Sequence, residues 1–320
     1  MNEPRQKVLV TGGAGFIGSH VADAYLARGY RVWVLDNLSS GRRENVPEEA
    51  AFLQMDIRDP AVRDLFREHR FDLVNHHAAQ IDVRRSVADP SYDAEVNLLG
   101  LLNLLEGARE AGTNRFIFVS SGGVVYGEPE VFPTPETAPK TPLSPYGVTK
   151  LTGELYLNFY RAVHGLEYVA LRYGNVYGPR QDPHGEAGVV AIFSKRLLSG
   201  TALTIFGDGE QTRDYVFVGD VVSANMTVSE IPVPDAPEMD AVAFNVGTGQ
   251  ATSVNQLAHT LERVSGLRPG RSHEAPRPGE LLHSCLDTGR LQALGWSCSW
   301  TLETGLRETF QHIAKESETV

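Results

Sequence analysis

The stretch KVLVTGGAGFIGSHVADAYLARG, residues 7–29, limits the possible folds more than any other part of the chain. An apolar run suited to a buried strand enters a turn carrying Gly12, Gly15 and Gly18, and a helical pattern follows at once. Glycines at this spacing permit a tight turn and let a pyrophosphate approach the N-terminus of the helix. A flexible turn has the same look in isolation, so the next strand matters. RVWVL ends in Asp36, about 20 residues on, where a carboxylate accepts hydrogen bonds from ribose hydroxyls and repels a 2′-phosphate. NAD is therefore favoured over NADP. Arg42 and Arg43 argue the other way on charge, but they follow the flexible run NLSSG, where a solvated rim is the expected placement.

The same kind of run recurs as AAFLQ (50–54), FDLVNHH (71–77), RFIFVS (115–120) and YVALRYGN (168–175), with helix-like or turn-like stretches between. Continuous apolar strands imply burial on both faces, and strands alternating with helices imply right-handed crossovers. The expected fold class is α/β, a doubly wound parallel Rossmann-type sheet with ligands beyond the carboxyl ends of its strands. Residues 93–111, DAEVNLLGLLNLLEGAREA, are apolar around much of a helix, which predicts burial against a second surface, such as another subunit. From residue 176 the pattern loosens into Pro/Gly-rich segments and shorter helices such as AIFSKRLL and SVNQLAHTLERV. The expected organisation is an NAD-binding domain over 1–175 and a smaller substrate lobe over 176–320. The two are interleaved, because AFNVG (243–247) reads as a strand returning to the sheet.

A formal net charge of −11 opposes binding to phosphate backbones, so nucleic acid is not an expected partner. An anionic small molecule remains compatible, since a few arginines in a cleft override the average charge locally. No apolar run is long enough to span a membrane and no signal-like core follows a basic opening, which points to a cytoplasmic enzyme. The two cysteines, Cys285 and Cys298, lack metal-ligand spacing, and neither a disulfide framework nor a metal site is expected. His76 and His77 end a strand and read as packed or hydrogen-bonded residues, and Trp33, Trp296 and Trp300 as core or lobe packing.

SPYGVTK, residues 144–150, sets Tyr146 and Lys150 four positions apart, on one face of a helix. A phenol acting as a base at neutral pH needs a nearby cation to favour the phenolate, and Lys150 supplies one. SSGGVVYG (120–127) follows an apolar strand and so presents its hydroxyls at the carboxyl edge of the sheet. Together with TGGAGFIG, DNLSSG (36–41), MDIRD (55–59), HHAA (76–79), LRYGNVYGPRQDP (171–183), IFGDGEQTRDYVFVGD (205–220) and RPGE (277–280), these motifs resemble the extended short-chain dehydrogenase/reductase family, in its UDP-glucose (UDP-galactose) 4-epimerase group. The resemblance covers nearly the whole chain.

The resemblance implies a bound NAD, a proton removed from the sugar 4-hydroxyl by Tyr146 as phenolate, hydride leaving C4, and a 4-keto sugar that turns over before hydride returns to its other face. Lys150 would hold the nicotinamide ribose and acidify Tyr146. Cofactor contacts implied in the same way are Gly12, Gly15, Phe16, Ile17, Gly18, Asp36, Asn37, Ser39, Ser40, Gly41, Asp56, Ile57, Ala78, Ala79, Gln80, Asn97, Ser120 and Tyr173. A related lysine position holds Ile81. The hydroxyl that many members place four residues before the YG tyrosine falls on Gly122, so Ser121 is the expected replacement, with Ser120 second. Val124 stands where sugar-nucleotide dehydratases and decarboxylases carry an acid, which disfavours elimination. The UDP-sugar site would comprise Ser121, Gly122, Asn175, Gly188, Val189, Ile205, Phe206, Arg213, Tyr215, Arg277, Glu280 and Ser284. Taken alone, Arg213 and Arg277 read as surface ion-pair residues, and only the resemblance assigns them the diphosphate. Small Ser284 suggests that an N-acetylated sugar also fits. UDP-glucuronate 4-epimerisation is the alternative enzyme reading and an NAD-binding regulatory protein the non-enzymatic one. A homodimer through helices near 93–111 and 147–164 is the expected assembly.

Overall fold

The computed structural model describes residues 6–182, 188–276 and 281–318. Its first half alternates β1 (Lys7–Thr11), α1 (Phe16–Ala27), β2 (Arg31–Asp36), β3 (Ala51–Gln54), α2 (Val62–His69), β4 (Leu73–His76), α3 (Val83–Ala88), α4 (Pro90–Ala94), α5 (Gly100–Ala111), β5 (Arg115–Ser121), α6 (Pro145–His164) and β6 (Glu167–Tyr173). The second half adds β7 (Asn175–Tyr177), α7 (Val189–Leu198), β8 (Leu203–Phe206), β9 (Thr212–Arg213), β10 (Tyr215–Phe217), α8 (Val218–Glu230), β11 (Ala243–Val246), β12 (Thr252–Ser253), α9 (Val254–Ser265), β13 (Arg271–Glu274), α10 (Gly289–Gln292) and α11 (Leu302–Glu318).

Among the described residues the main sheet has seven strands in the order β11-β6-β5-β4-β1-β2-β3, all parallel. Strand order reverses between β1 and β4, and such a reversal opens a crevice at the carboxyl edge. The apolar strands bury both faces. Val8 and Val10 of β1 pack with Val21, Ala22 and Tyr25 of α1 and with Val221 and Ala224 of α8. Leu9 between them points the other way, into a layer with Phe66 of α2, Leu101 and Leu105 of α5, and Leu157 of α6. Each fully buried aliphatic side chain contributes about 1.5–3 kcal/mol, so the two layers hold the sheet edge rigidly beneath whatever binds there. A third core joins α7, α9 and α11 to β8 and β10. Short ribbons, β7 with β10, β9 with β12 and β8 with β13, complete that lobe.

Two elements differ from the sequence expectation. The run 168–175 is not one strand: β6 stops at Tyr173, and Asn175 opens β7, which pairs with β10 outside the main sheet. The break occurs because Gly174 N–H bonds to Val246 O while Asn175 N–H bonds to Asp214 O, pulling the chain from one partner to another. The 93–111 segment is not one regular helix either. Residues Glu95–Leu99 form a π turn between α4 and α5, the kind of helix irregularity that is frequent at functional sites.

No helix among the described residues is long and apolar enough to cross a membrane, and no cluster of three metal-ligating side chains occurs among them. Trp33 and Trp296 are core residues, whereas Trp300 lies on Phe217 at the lobe surface with ring centroids 4.3 Å apart. Burial pushes the Cys285 and Cys298 thiols up to about 11 and about 12, leaving both unreactive at neutral pH. His76 bonds Thr11 and packs on Phe116 and Phe118, and burial holds it neutral.

Candidate functional site

The glycine turn is built by backbone packed against backbone. Gly12 has φ +66°, and a Cβ there would lie 2.6 Å from Ala78 N, in the loop that leaves β4. A Cβ on Gly18 would lie 2.3 Å from Gly12 O. Gly15 differs: its Cβ would meet only Gly12 O, at 3.2 Å. Gly15 is also the N-cap of α1 and provides no side-chain cap, so the first amides of that helix are left to an incoming group. Asp36, at the end of β2, accepts from Ala14 N–H at 3.0 Å and Leu38 N–H at 2.8 Å, which ties the following loop to the turn. Burial pushes its carboxyl upward from the usual range while these two bonds oppose the shift. An open cradle of helix amides with a carboxylate at the next strand end fits a dinucleotide and its ribose.

Around this cradle the structure places the expected cofactor contacts unevenly. Asn37 donates to Asp56 and accepts from Ser39 N–H; Asp56 is held well below the usual carboxylate range, first by its hydrogen bonds from Arg58. Ser39 and Ser40 are exposed, and Gly41, Ala78 and Ala79 are half-buried. Phe16 and Ile17 pack partly on the lobe core and the α1 layer. The Ile57 side chain is committed to the core beneath α5. Gln80 and Asn97 bond each other, Gln80 N–H to Asn97 Oδ1 and Asn97 Nδ2 to Gln80 O, both at 2.9 Å. Tyr173 lies on the α1 and α8 face, where its hydroxyl accepts from Asn225 at 2.6 Å. Arg42 pairs with Glu44 and Arg43 covers Phe52, so both sit on the rim.

Ser144 caps α6 by accepting from Gly147 N–H, and Pro145 follows at the first helical position, so the sequence itself starts this helix just before Tyr146. Tyr146 N–H donates to the buried Ser86 hydroxyl. Lys150 is buried, its Nζ 2.8 Å from Val119 O and 5.7 Å from the Tyr146 ring centroid. Burial pushes the Lys150 ammonium down to about 8. One turn further, buried Glu154 forms an ion pair with Arg172 and accepts from Ser120 Oγ. Ser120 is therefore drawn to the α6 side of the sheet. Adjacent strand residues face opposite ways, so Ser121 faces the other side; a Cβ on Gly123 would lie 3.8 Å from Ser121 Oγ and 3.9 Å from Asn175 Oδ1. Gly122 has a steric cause as well, since a Cβ there would lie 2.6 Å from Leu286 Cδ1.

On the lobe side, Arg213 and Tyr215 flank Asp214 in the step from β9 to β10. Asp214 is completely buried and accepts from Thr248 N–H, Thr248 Oγ1, Gly249 N–H and Leu286 N–H. Burial raises its carboxyl and these hydrogen bonds pull it back. Ser284 is buried and its N–H bonds Thr212 O. Gly188 and Val189 open α7, while Ile205 is core and Phe206 ends β8. Arg277 and Glu280 lie outside the described residues.

Sequence reasoning missed Asp214, Glu154, Arg172 and Leu286. Only Arg172 carried a signal, as a lone charge inside the apolar run YVALRYGN, where an unpaired charge is rarely buried. The arrangement as a whole puts a phenol, a buried ammonium, a small hydroxyl and an amide beside a dinucleotide cradle, which is equipment for moving a proton to or from a hydroxyl undergoing oxidation.

The family model described as the NAD dependent epimerase/dehydratase family matches residues 8–247. A UDP-glucose 4-epimerase of Mycolicibacterium smegmatis is 45% identical over 318 residues, covering 98% of this chain and all of that protein. The crystal structure of a Thermotoga maritima UDP-glucose 4-epimerase with UDP-glucose is 47% identical and superposes with a TM-score of 0.93, covering 98% of this chain and 100% of that one. That of a Thermus thermophilus UDP-glucose 4-epimerase in complex with NAD is 46% identical with a TM-score of 0.91, covering 97% and 99%.

Proposed function

The chain belongs to the NAD dependent epimerase/dehydratase family, and from that premise we propose that it interconverts UDP-glucose and UDP-galactose by inverting C4 of the sugar, with NAD as cofactor. The observation that carries this reading is the pairing of Tyr146 with the buried Lys150 ammonium, 5.7 Å from the ring and hydrogen-bonded to Val119 O near the carboxyl end of β5. When bound, NAD supplies reversible oxidation of the sugar carbon.

The chain's own groups do the rest. The amides at the start of α1 hold the pyrophosphate, and Asp36 takes the adenosine ribose. Tyr146 Oη removes the proton from the sugar 4-hydroxyl and returns one when the 4-keto sugar has presented its other face. Lys150 favours the phenolate by its charge. Ser121 Oγ, on the face shared with Asn175 Oδ1, hydrogen-bonds the reacting oxygen in place of the hydroxyl that Leu286 excludes from position 122. Arg213 and Arg277 neutralise the diphosphate and Glu280 receives the uridine ribose. Val124 offers no proton to exchange, which leaves epimerisation rather than elimination. Small, buried Ser284 admits an N-acetyl group, so UDP-N-acetylglucosamine is a second substrate; strict glucose selectivity would remove that extension.

The assembly is a homodimer. Val148, Leu155, Phe159 and Val163 form an exposed apolar stripe along α6, and Leu99 exposes another apolar side chain in the π turn before α5. A patch of that kind marks an interaction surface.

The deciding experiment incubates the purified protein with UDP-glucose and with UDP-galactose, without added reductant. Interconversion is expected, and Tyr146→Phe lowers turnover by about a thousandfold. No interconversion in either direction, or full turnover by the variant, rejects the reading.

A further inference from the structure

Asp93 is completely buried, and every partner of its carboxylate is neutral. Oδ1 accepts from Gln80 Nε2 at 2.9 Å and Asn97 Nδ2 at 3.1 Å, and Oδ2 accepts from the Thr149 hydroxyl at 2.8 Å. Those partners belong to three segments: the loop after β4, the π turn, and the start of α6, where Thr149 stands between Tyr146 and Lys150. Thr149 Oγ1 is also 3.0 Å from Tyr146 O. A buried carboxylate without a cation in contact is costly, and these three hydrogen bonds from neutral donors offset only part of that cost. Lys150 is its complement, a buried ammonium whose hydrogen bond goes to a backbone carbonyl.

We propose that Asp93 is a positioning residue for Tyr146 and Lys150, clamping the first turns of α6 against the loop after β4 and supplying a buried counter-charge to the Lys150 ammonium. The inference rests on the role given above to Tyr146. The other groups around Lys150 do not supply this charge equally. Glu154, on its own helix, is engaged by Arg172, and His76 and His77, at the end of β4, are held neutral by burial. Asp93 is the foremost influence favouring the charged lysine against its desolvation.

The test compares the pH profile of kcat for UDP-glucose in the wild-type holoenzyme and in Asp93→Asn, Thr149→Val and Thr149→Ser. Asp93→Asn lowers kcat by about tenfold or more while KM stays within about threefold, since geometry of the reacting groups and not substrate binding is disturbed. Its alkaline limb moves to lower pH, because an ammonium without its anion loses its proton more readily. Thr149→Val lowers kcat without moving that limb, and Thr149→Ser restores it. An Asp93→Asn profile superimposable on the wild type overturns the inference. So does a Thr149→Val variant as active as Thr149→Ser, and that pair decides alone if Asp93→Asn does not fold. A fully active Tyr146→Phe rejects the reading of the site itself, whereas an inactive Tyr146→Phe beside unaffected Asp93 and Thr149 variants rejects only the role of Asp93.

Discussion

The glycine turn after β1 and the β9–β10 step around Asp214 lie in the two parts of the molecule that carry the proposed ligand contacts, and each holds its backbone by a different kind of physics. The turn works by leaving atoms out: at Gly12 and Gly18 a single methyl carbon would meet backbone within 3 Å. The step works by drawing atoms in, with one buried carboxylate collecting donors from residues 248, 249 and 286. Exclusion is a local property that spacing reveals. Capture depends on partners far along the chain, and spacing is silent about it.

The largest effect that sharpens this contrast is expected at Gly18. Gly18→Ala pushes a carbon into Gly12 O and should lower folding stability by about 3 kcal/mol or more in urea denaturation, because backbone cannot step aside. Gly15→Ala should cost no more than about 1 kcal/mol, the loss of a favourable N-cap residue, yet weaken NAD binding measured by calorimetry. Equal destabilisation by both would break the distinction between packing and ligand-facing glycines. Next, Asp214→Ala leaves four donors without their acceptor and should cost about 3 kcal/mol, with UDP-glucose affinity falling more than NAD affinity. An unchanged denaturation midpoint would show that capture matters less than exclusion.

Lys150 gives an intermediate effect. Its ammonium is pushed down to about 8 by burial, and the charged form is the one that favours the phenolate. Turnover should therefore be sustained below that pH and fall as pH rises through it, by up to tenfold per unit, about 1.4 kcal/mol. A flat profile to pH 9.5 would remove the lysine from the mechanism. Of the substitutions that clash, the mildest is expected at Gly122, where the atoms within 3 Å of an added Cβ belong to the flexible end of Leu286 and the nearest backbone atom, Arg172 O, is 3.2 Å away. Gly122→Ala should cost about 1–2 kcal/mol, and Leu286→Ala in the same chain should recover part of the clash as a favourable coupling in a double-mutant cycle. Strict additivity would mean that Leu286 does not dictate the glycine.

Much of the cofactor half was legible because its determinants are contiguous. The apolar runs near residues 7, 31, 51, 73 and 115 became strands, Asp36 fell at a strand end, and Ser144-Pro145 started the helix of Tyr146 and Lys150. The run 168–175 misled because its β-forming residues continue past the point where Gly174 is claimed by Val246 and Asn175 by Asp214. The sequence put Ser121 ahead of Ser120 without a contact to explain why; in the fold Ser120 is taken by Glu154, which Arg172 holds beneath the sheet.

The residues of the chain determined by themselves the parallel sheet, the dinucleotide turn and the four-residue spacing of phenol and ammonium, because period, glycine placement and helix geometry act over a few neighbouring positions. The folded molecule decided which serine Glu154 takes, what a side chain at position 122 would meet, and where Asp93 and Asp214 gather their donors. Those outcomes depend on burial and on contacts between residues tens of positions apart, and burial is a property that no residue has until the chain has closed around it.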